Sequence, residues 1–383
     1  MKRVAILLTT LLCFLTFAAF SPPYLCKEIE IYLDDEGLAG DLTIEVAHAM
    51  RAERAGGYEA LYDALLEKYS ARDALNYLAV RLGDYLSAEC ERRQIDPLDA
   101  TLRWNGNTAS PFIYYEEKAG RSADLAEVGR QVARAMDNDA RGIARAYTHA
   151  VAPKVTVDIL RDRTREIARY STSFATSGEG RRQNIALAAS LISGKVLEAG
   201  ARFSFNETVG VRTAERGFRE ANIIVNGEFR KGIGGGVCQV STTLYNAVLL
   251  ASLTVENAAA HSCPVSYVPP SRDCTVSSAT DFTFRNDMGA PIYLAAEIEG
   301  STLTVVIYGD GAPCSLESEV TERIPFSLRY EDGSLVSDTS AATLLTPGRE
   351  GIRSRLYRVR EGKRTLIREN YYLAKDAVYK KAV

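Results

Sequence analysis

The sequence predicts a multidomain α+β protein, and three observations carry that prediction. Apolar residues recur at helical spacing in some stretches, and elsewhere short runs rich in Val, Ile, Thr, Tyr and Phe alternate as strands do. The two patterns come in blocks, mixed ones first and a strand-only one last. At 383 residues the chain exceeds what one core ordinarily serves, so two or three domains follow. The composition, 46% hydrophobic and 25% charged, is that of a folded protein rather than a disordered or collagen-like one. A formal charge of −3, with no dense Lys/Arg run beyond the first residues, lacks the basic footprint of nucleic-acid binders.

The elements follow in chain order. Lys2 and Arg3 precede the apolar run Val4 to Phe20, which Ser21-Pro22-Pro23 ends. Residues 1–23 thus read as a signal peptide or, being nearly long enough to span, an anchor in the cytoplasmic membrane. The mature chain is expected outside that membrane, secreted or anchored. From Asp41 to Arg93 the spacing of Leu61, Leu65, Tyr69, Leu75, Leu78 and Leu82 predicts a helical unit. Ala100 to Trp104 and Pro111 to Tyr115 read as a hairpin around Asn105-Gly106-Asn107. Leu125, Val128, Val132 and Met136 mark a helix, and Lys154 to Ile159 alternates as a strand, so residues 41–160 form a helical plus α+β module.

Residues 166–310 form a central α+β domain with helical stretches at Gln183–Ser193 and Cys238–Ser252 and a hairpin turn at Asn226-Gly227. Residues 320–383 read as a small all-β appendage with turns at Asp332-Gly333, Pro347-Gly348 and Glu361-Gly362. Of the seven cysteines (13, 26, 90, 238, 263, 274, 314), six remain after removal of a signal, and Cys263 and Cys274 could close one short loop.

The chemistry concentrates in Gly232-Ile-Gly-Gly-Gly-Val-Cys238-Gln-Val-Ser-Thr-Thr-Leu-Tyr-Asn-Ala247, a glycine loop running into a helix. The free N–H groups and dipole of a helix start favour a thiolate at Cys238. At helical spacing Cys238, Ser241, Thr242 and Tyr245 share one face, and Val240, Leu244 and Ala247 another. A cysteine nucleophile needs a base, and of His48, His149 and His261 the last lies in the same domain, 23 residues on. Asp273 or Asp281 could orient its imidazole, with Asp281 preferred at the head of a strand. Gly234, Gly235, Gly236, Gln239, Ser241, Thr242 and Tyr245 are the expected binding residues, Gln239 or loop amides serving as oxyanion donors. The competing reading makes Cys238 a packed core thiol and the glycines a site of close packing. The spacing of Cys238, His261, Cys263 and Cys274 lacks the close pairs of zinc sites, and the loop lacks both the Gly-Lys-Ser/Thr and the Rossmann phosphate patterns. No metal, cofactor or nucleotide is expected.

Several ordered motifs carry a resemblance: Tyr170-Ser-Thr-Ser-Phe174, Arg182-Gln-Asn184, Phe203-Ser-Phe-Asn206, Gly234-Gly-Gly-Val-Cys238-Gln-Val-Ser-Thr-Thr-Leu-Tyr-Asn246, and His261 followed by Val265-Ser-Tyr-Val-Pro269. Across about residues 166–310 they closely resemble the VanW family. Ser271-Arg272-Asp273-Cys274 stands where that family has a Gly-x-Asp-Ala-like step. Upstream, Pro97-Leu-Asp-Ala100 and Pro153-Lys-Val-Thr156 resemble the peptidoglycan-binding domain that often precedes VanW domains. Downstream, Glu322-Arg-Ile-Pro325 and Pro347-Gly-Arg-Glu-Gly351 resemble a shortened five-glycine extracellular domain. The resemblance implies a cell-envelope protein associated with peptidoglycan or its peptide stems, accessory to glycopeptide resistance or wall remodelling. It supplies no reaction. The alternative is a cysteine-dependent amidase or transpeptidase acting on those stems through Cys238, His261 and Asp281.

Overall fold

The computed structural model describes residues 28–34, 42–44, 95–123, 141–225, 228–336, 338–340 and 342–381. The expectations for residues 1–23, for residues 45–93, for the helix around 125–136, for the Asn226-Gly227 turn and for Cys13, Cys26 and Cys90 lie outside them. The described chain is α+β. It divides into two compact units, residues 1–101 with 115–157, and residues 102–114 with 158–383. Among the described residues no helix is long and apolar enough to cross a membrane.

At the start of the first unit, β1 (Glu28–Asp34) pairs antiparallel with β2 (Leu42–Ile44), so the head of the stretch expected to be helical is strand. β3 (Thr101–Trp104) and β4 (Phe112–Tyr115) make the expected hairpin. β5 (Gly120–Ala123) pairs with β6 (Arg141–Val151), which runs parallel to β1 and completes the order β2-β1-β6-β5. The alternation at 154–159 is not a strand: residues 154–156 are irregular and Val157 opens helix α1 (Val157–Arg163). Its first N–H donates to Glu117 Oε2 at 2.9 Å and Asp158 sits in its first turn. That cap comes from a distant segment, so the local pattern could not announce it.

In the second unit, β7 (Arg165–Ser173) leads to helix α2 (Glu179–Ile192), β8 (Lys195–Leu197), β9 (Arg202–Ser204) and the short helix α3 (Phe205–Val209). The hairpin β10 (Glu220–Val225) and β11 (Glu228–Ile233) then runs into helix α4 (Val237–Leu250). β12 (Thr254–Asn257), β13 (Thr283–Arg285), β14 (Ile292–Glu299) and β15 (Thr302–Gly309) complete two antiparallel sheets, ordered β12-β13-β9 and β7-β15-β14-β8.

α4 is the centre of the core. Every residue from Gln239 to Leu249 is buried, and the helix packs against β7, β15 and α2. Both the polar and the aliphatic faces expected from the sequence are therefore inside. Most of the polar groups are paired: the Thr243 hydroxyl meets that of Thr172 on β7 at 2.8 Å, and Asn246 Nδ2 donates to the Thr242 and Arg272 carbonyls, each at 2.8 Å, while Asn246 Oδ1 has no partner. That pairing removes most of the cost of burying them. Phe205, Phe218, Phe282 and Phe284, all wholly buried, fill the space around the helix. Each contributes about 1.5–3 kcal/mol relative to an exposed side chain. On the other face of the β14–β15 pair sits the β3–β4 hairpin, with the Phe112 ring edge-on to Tyr293 at 4.9 Å between centroids.

The last strands are β16 (Ser315–Ile324), β17 (Leu328–Tyr330), β18 (Thr343–Thr346), β19 (Gly351–Arg360), β20 (Lys363–Tyr372) and β21 (Ala377–Lys380). They form two sheets, β16-β19-β20 and β17-β21-β18. The Glu361-Gly362 turn joins β19 to β20 with φ of 49° and 77°, a left-handed pair that matches strand twist. Leu316 and Leu356 belong to the same hydrophobic core as α4. The first of these sheets is thus built onto the central domain.

Candidate active site

The glycine loop sets the geometry. A Cβ on Gly235 would fall 2.5 Å from the Asn222 carbonyl oxygen, and Gly236, the N-cap of α4, holds a left-handed φ of 107°. Asn184, buried in α2, fixes the loop from behind. Its Nδ2 donates to the carbonyls of Gly235 and Arg219, both at 2.9 Å, and its Oδ1 accepts from the Arg219 N–H at 2.7 Å. The chain therefore enters α4 with Cys238 as its second residue, in the turn whose N–H groups have no intrahelical acceptors. Cys238 is half-buried and lines a cleft of about 1170 Å³.

His261 sits beside it. Its imidazole couples electrostatically to the thiol, while Nδ1 lies 2.8 Å from Asp273 Oδ2, which also accepts the His261 backbone N–H at 2.6 Å. With Nδ1 committed, Nε2 is the nitrogen left for sulfur. Asp273 is held in turn by the Tyr372 hydroxyl, which donates to Oδ1, and by Arg368, which donates to its carbonyl and lies 3.6 Å from Oδ1.

Burial opposes charge on all three groups, yet each is shifted toward its charged form. The bond to Asp273 and the neighbouring sulfur raise His261 from 6.5 to about 9 against desolvation. Against the same penalty, the hydrogen bond and charge of His261 lower Cys238 below its ordinary 9.0. Asp273 is lowered by its bonds to His261 and Tyr372. These shifts favour a thiolate–imidazolium pair backed by a carboxylate. The sulfur accepts from the Val276 N–H at 3.5 Å and lies 3.6 Å from the Thr275 hydroxyl, and as a thiol it donates to the Val276 carbonyl at 3.3 Å. Sulfur, a ring nitrogen that carries a mobile proton and an orienting acid thus stand in sequence at a cleft wall, the arrangement nucleophilic acyl transfer requires.

Of the residues expected from sequence, Cys238 and His261 come together and Asp281 does not join them. Asp281 accepts from Ser204 Oγ at 2.6 Å and from the Asn206 and Phe282 N–H groups, each at 2.8 Å, so its oxygens are occupied pinning α3. The orienting acid is Asp273, the other candidate. Gly234, Gly235, Gly236 and Gln239 line the cleft, but the Gln239 amide donates to Thr172 Oγ1 and the Ser173 carbonyl, both at 3.0 Å, and is no oxyanion donor. Ser241 and Thr242 are turned inward, where their hydroxyls donate to the Cys274 carbonyl at 2.7 and 3.2 Å. Tyr245 is buried edge-on to Phe282, and burial pushes its hydroxyl up to about 12. Phe203 and Phe205 are core residues too. Cys263 and Cys274 are both free thiols, so the short loop is not closed by a disulfide here. His48 and the side chain of His149 lie outside the described residues. Among the described residues no group of three or more Cys, His, Asp or Glu is placed to hold a metal.

Three site residues escaped the sequence reading. Tyr372 lies 99 residues from the aspartate it holds, and Asn184 lies 51 residues from Gly235. Arg181, whose guanidinium donates to Gln239 Oε1 at 2.7 Å, lies 58 residues from it. No local pattern marks such pairs.

Residues 180–308, which hold Cys238, His261 and Asp273, match the family model described as VanW like protein. This stretch of the chain is a VanW-like domain. The chain is 41% identical over 160 residues to Bacillus subtilis YoaR, covering 41% of this chain and 53% of that protein. It is 23% identical over 177 residues to the Enterococcus faecalis vancomycin B-type resistance protein VanW, covering 44% of this chain and 64% of that one. The chain therefore spans only about half to two thirds of the length of these relatives. A solved structure titled "Crystal structure of HP0197-G5" matches across 18% of this chain and all of that one at 18% identity. Its TM-score of 0.11 is too low for a shared fold to follow.

Proposed function

We propose that this VanW-like protein is an extracytoplasmic cysteine acyltransferase acting on peptide or amide bonds of peptidoglycan stems. The observation that carries the proposal is the Cys238–His261–Asp273 chain at the head of α4, open to a cleft. The Cys238 thiolate attacks the carbonyl carbon of the acyl donor, forming a C–S bond, and the oxyanion then collapses to break the C–N bond. The imidazolium of His261 gives its proton to the departing amine. An acceptor amine, or water, gives a proton back to His261 as it attacks the thioester carbonyl, and the thiolate leaves. The relative named for vancomycin B-type resistance supports a wall peptide as substrate class. The sequence supports export through residues 1–23, as a cleaved signal or as an anchor in the cytoplasmic membrane.

Intact-mass spectrometry of the full chain incubated with soluble muropeptides tests this reading. A thioester adduct on the wild type, absent from Cys238→Ala, is the expected result. Absence of any adduct and of any muropeptide product, together with co-sedimentation with wall sacculi, would instead leave a non-catalytic wall-binding accessory protein.

A further inference from the structure

Two guanidinium side chains line the same cleft as the candidate nucleophile, and among the described residues neither forms an ion pair. The stem of Arg212 lies over Gly234 and that of Arg181 over Gly236, at 3.1 and 2.9 Å from where a Cβ would stand, so the glycine loop seats both just ahead of Cys238. Arg181 donates to Ser177 Oγ at 2.6 Å and to Gln239 Oε1 at 2.7 Å. Arg212 donates to Asn206 Oδ1 at 2.6 Å. All three acceptors are neutral, and among the described residues neither arginine has a carboxylate within 4 Å.

The supports are themselves anchored. Gln239 is fixed by Thr172 and Ser173, and Asn206 by Asp281, which accepts from its N–H, and by the Ser277 and Thr280 carbonyls. Asp281, expected from sequence to orient His261, therefore positions Arg212 through Asn206. Desolvation weakens the proton affinity of both guanidiniums, and the sulfur charge of Cys238 opposes that weakening in each. Other charged side chains lining the cleft are Lys231, Arg349, Glu179 and Glu220. Cations thus outnumber carboxylates, and a partly desolvated guanidinium held by neutral groups keeps its charge for a ligand.

We infer that Arg181 and Arg212 are specificity determinants that bind a free carboxylate of the acyl donor beside the scissile bond. The inference rests on the acyl-transfer reading and names its substrate class: peptides ending in, or branched with, an unamidated carboxylate.

The test compares alkylation of Cys238 in the full chain by iodoacetate, which carries a carboxylate, and by uncharged iodoacetamide. Each reagent forms the same C–S bond and releases iodide. The wild type should favour iodoacetate about tenfold more than a free cysteine peptide does, with the preference falling as salt is added. Arg181→Gln and Arg212→Gln should each lose most of it, and Arg181→Lys and Arg212→Lys should retain part. A preference equal to that of the free peptide, or one that survives in both glutamine variants and so belongs to the His261 imidazolium, overturns the inference while leaving acyl transfer standing. A Cys238 inert to both reagents overturns the acyl-transfer reading and this inference with it. The salt series needs no variant, so a misfolded mutant does not block the test.

Discussion

The Tyr372 hydroxyl donates to Asp273 Oδ1 while its oxygen accepts the Ser271 N–H at 2.7 Å, so one phenol on β20 clamps the loop that orients His261. The C-terminal sheet is thereby part of the site's support. Ser354 on β19 adds a second tie, its hydroxyl 2.7 Å from that of Ser271.

Tyr372→Phe strands a buried N–H and removes one partner of a buried carboxylate. Urea unfolding should show a loss of about 1–3 kcal/mol. The His261 titration midpoint, read by NMR, should fall with it.

Asp273 and Asp281 separate cleanly by substitution. Asp273→Asn should lower the His261 midpoint well below about 9 and slow Cys238 alkylation at pH 7 by tenfold or more. Asp281→Asn should leave the His261 midpoint in place and instead raise sensitivity to urea, because it weakens bonds to Ser204, Asn206 and Phe282.

The pH dependence follows from the direction of the Cys238 shift. Its thiolate is stabilised below the ordinary 9.0, so the iodoacetamide rate should level off at a lower pH than that of an unshifted thiol. Reactivity should fall only on acidification through the depressed value. In His261→Gln the positive charge is gone, desolvation is opposed only by the Val276 and Thr275 contacts, and the rate should climb at more alkaline pH than in the wild type.

Gly235→Ala should displace the β10–β11 hairpin, because the new methyl meets the Asn222 carbonyl oxygen at 2.5 Å and the Ala221 carbonyl carbon at 2.9 Å. Neither is the end of a flexible side chain. A loss of about 1–3 kcal/mol in unfolding free energy is expected, with slower labelling of Cys238.

The α+β class, the β3–β4 hairpin and helices α2 and α4 were legible because short-range periodicity and turn residues encode them. So was the pairing of Cys238 with His261. Glycines followed by cysteine at a helix start are a local pattern, and His261 was the one histidine in the same domain. Alternation at 154–159 misled because Glu117, far along the chain, caps a helix there. The face assigned to Ser241, Thr242 and Tyr245 misled because helical periodicity separates faces only when one meets water, and α4 from Gln239 to Leu249 meets none.

The sequence by itself determined that a glycine loop turns into a helix headed by Cys238, and that His261 lies in the same domain. Tertiary structure decided which of two aspartates reaches the imidazole, which tyrosine holds that aspartate, and that two arginines stand free of carboxylates beside the sulfur. Those are contacts between segments 12 to 99 residues apart, and their geometry is set by how sheets and helices pack around α4, which no local spacing records.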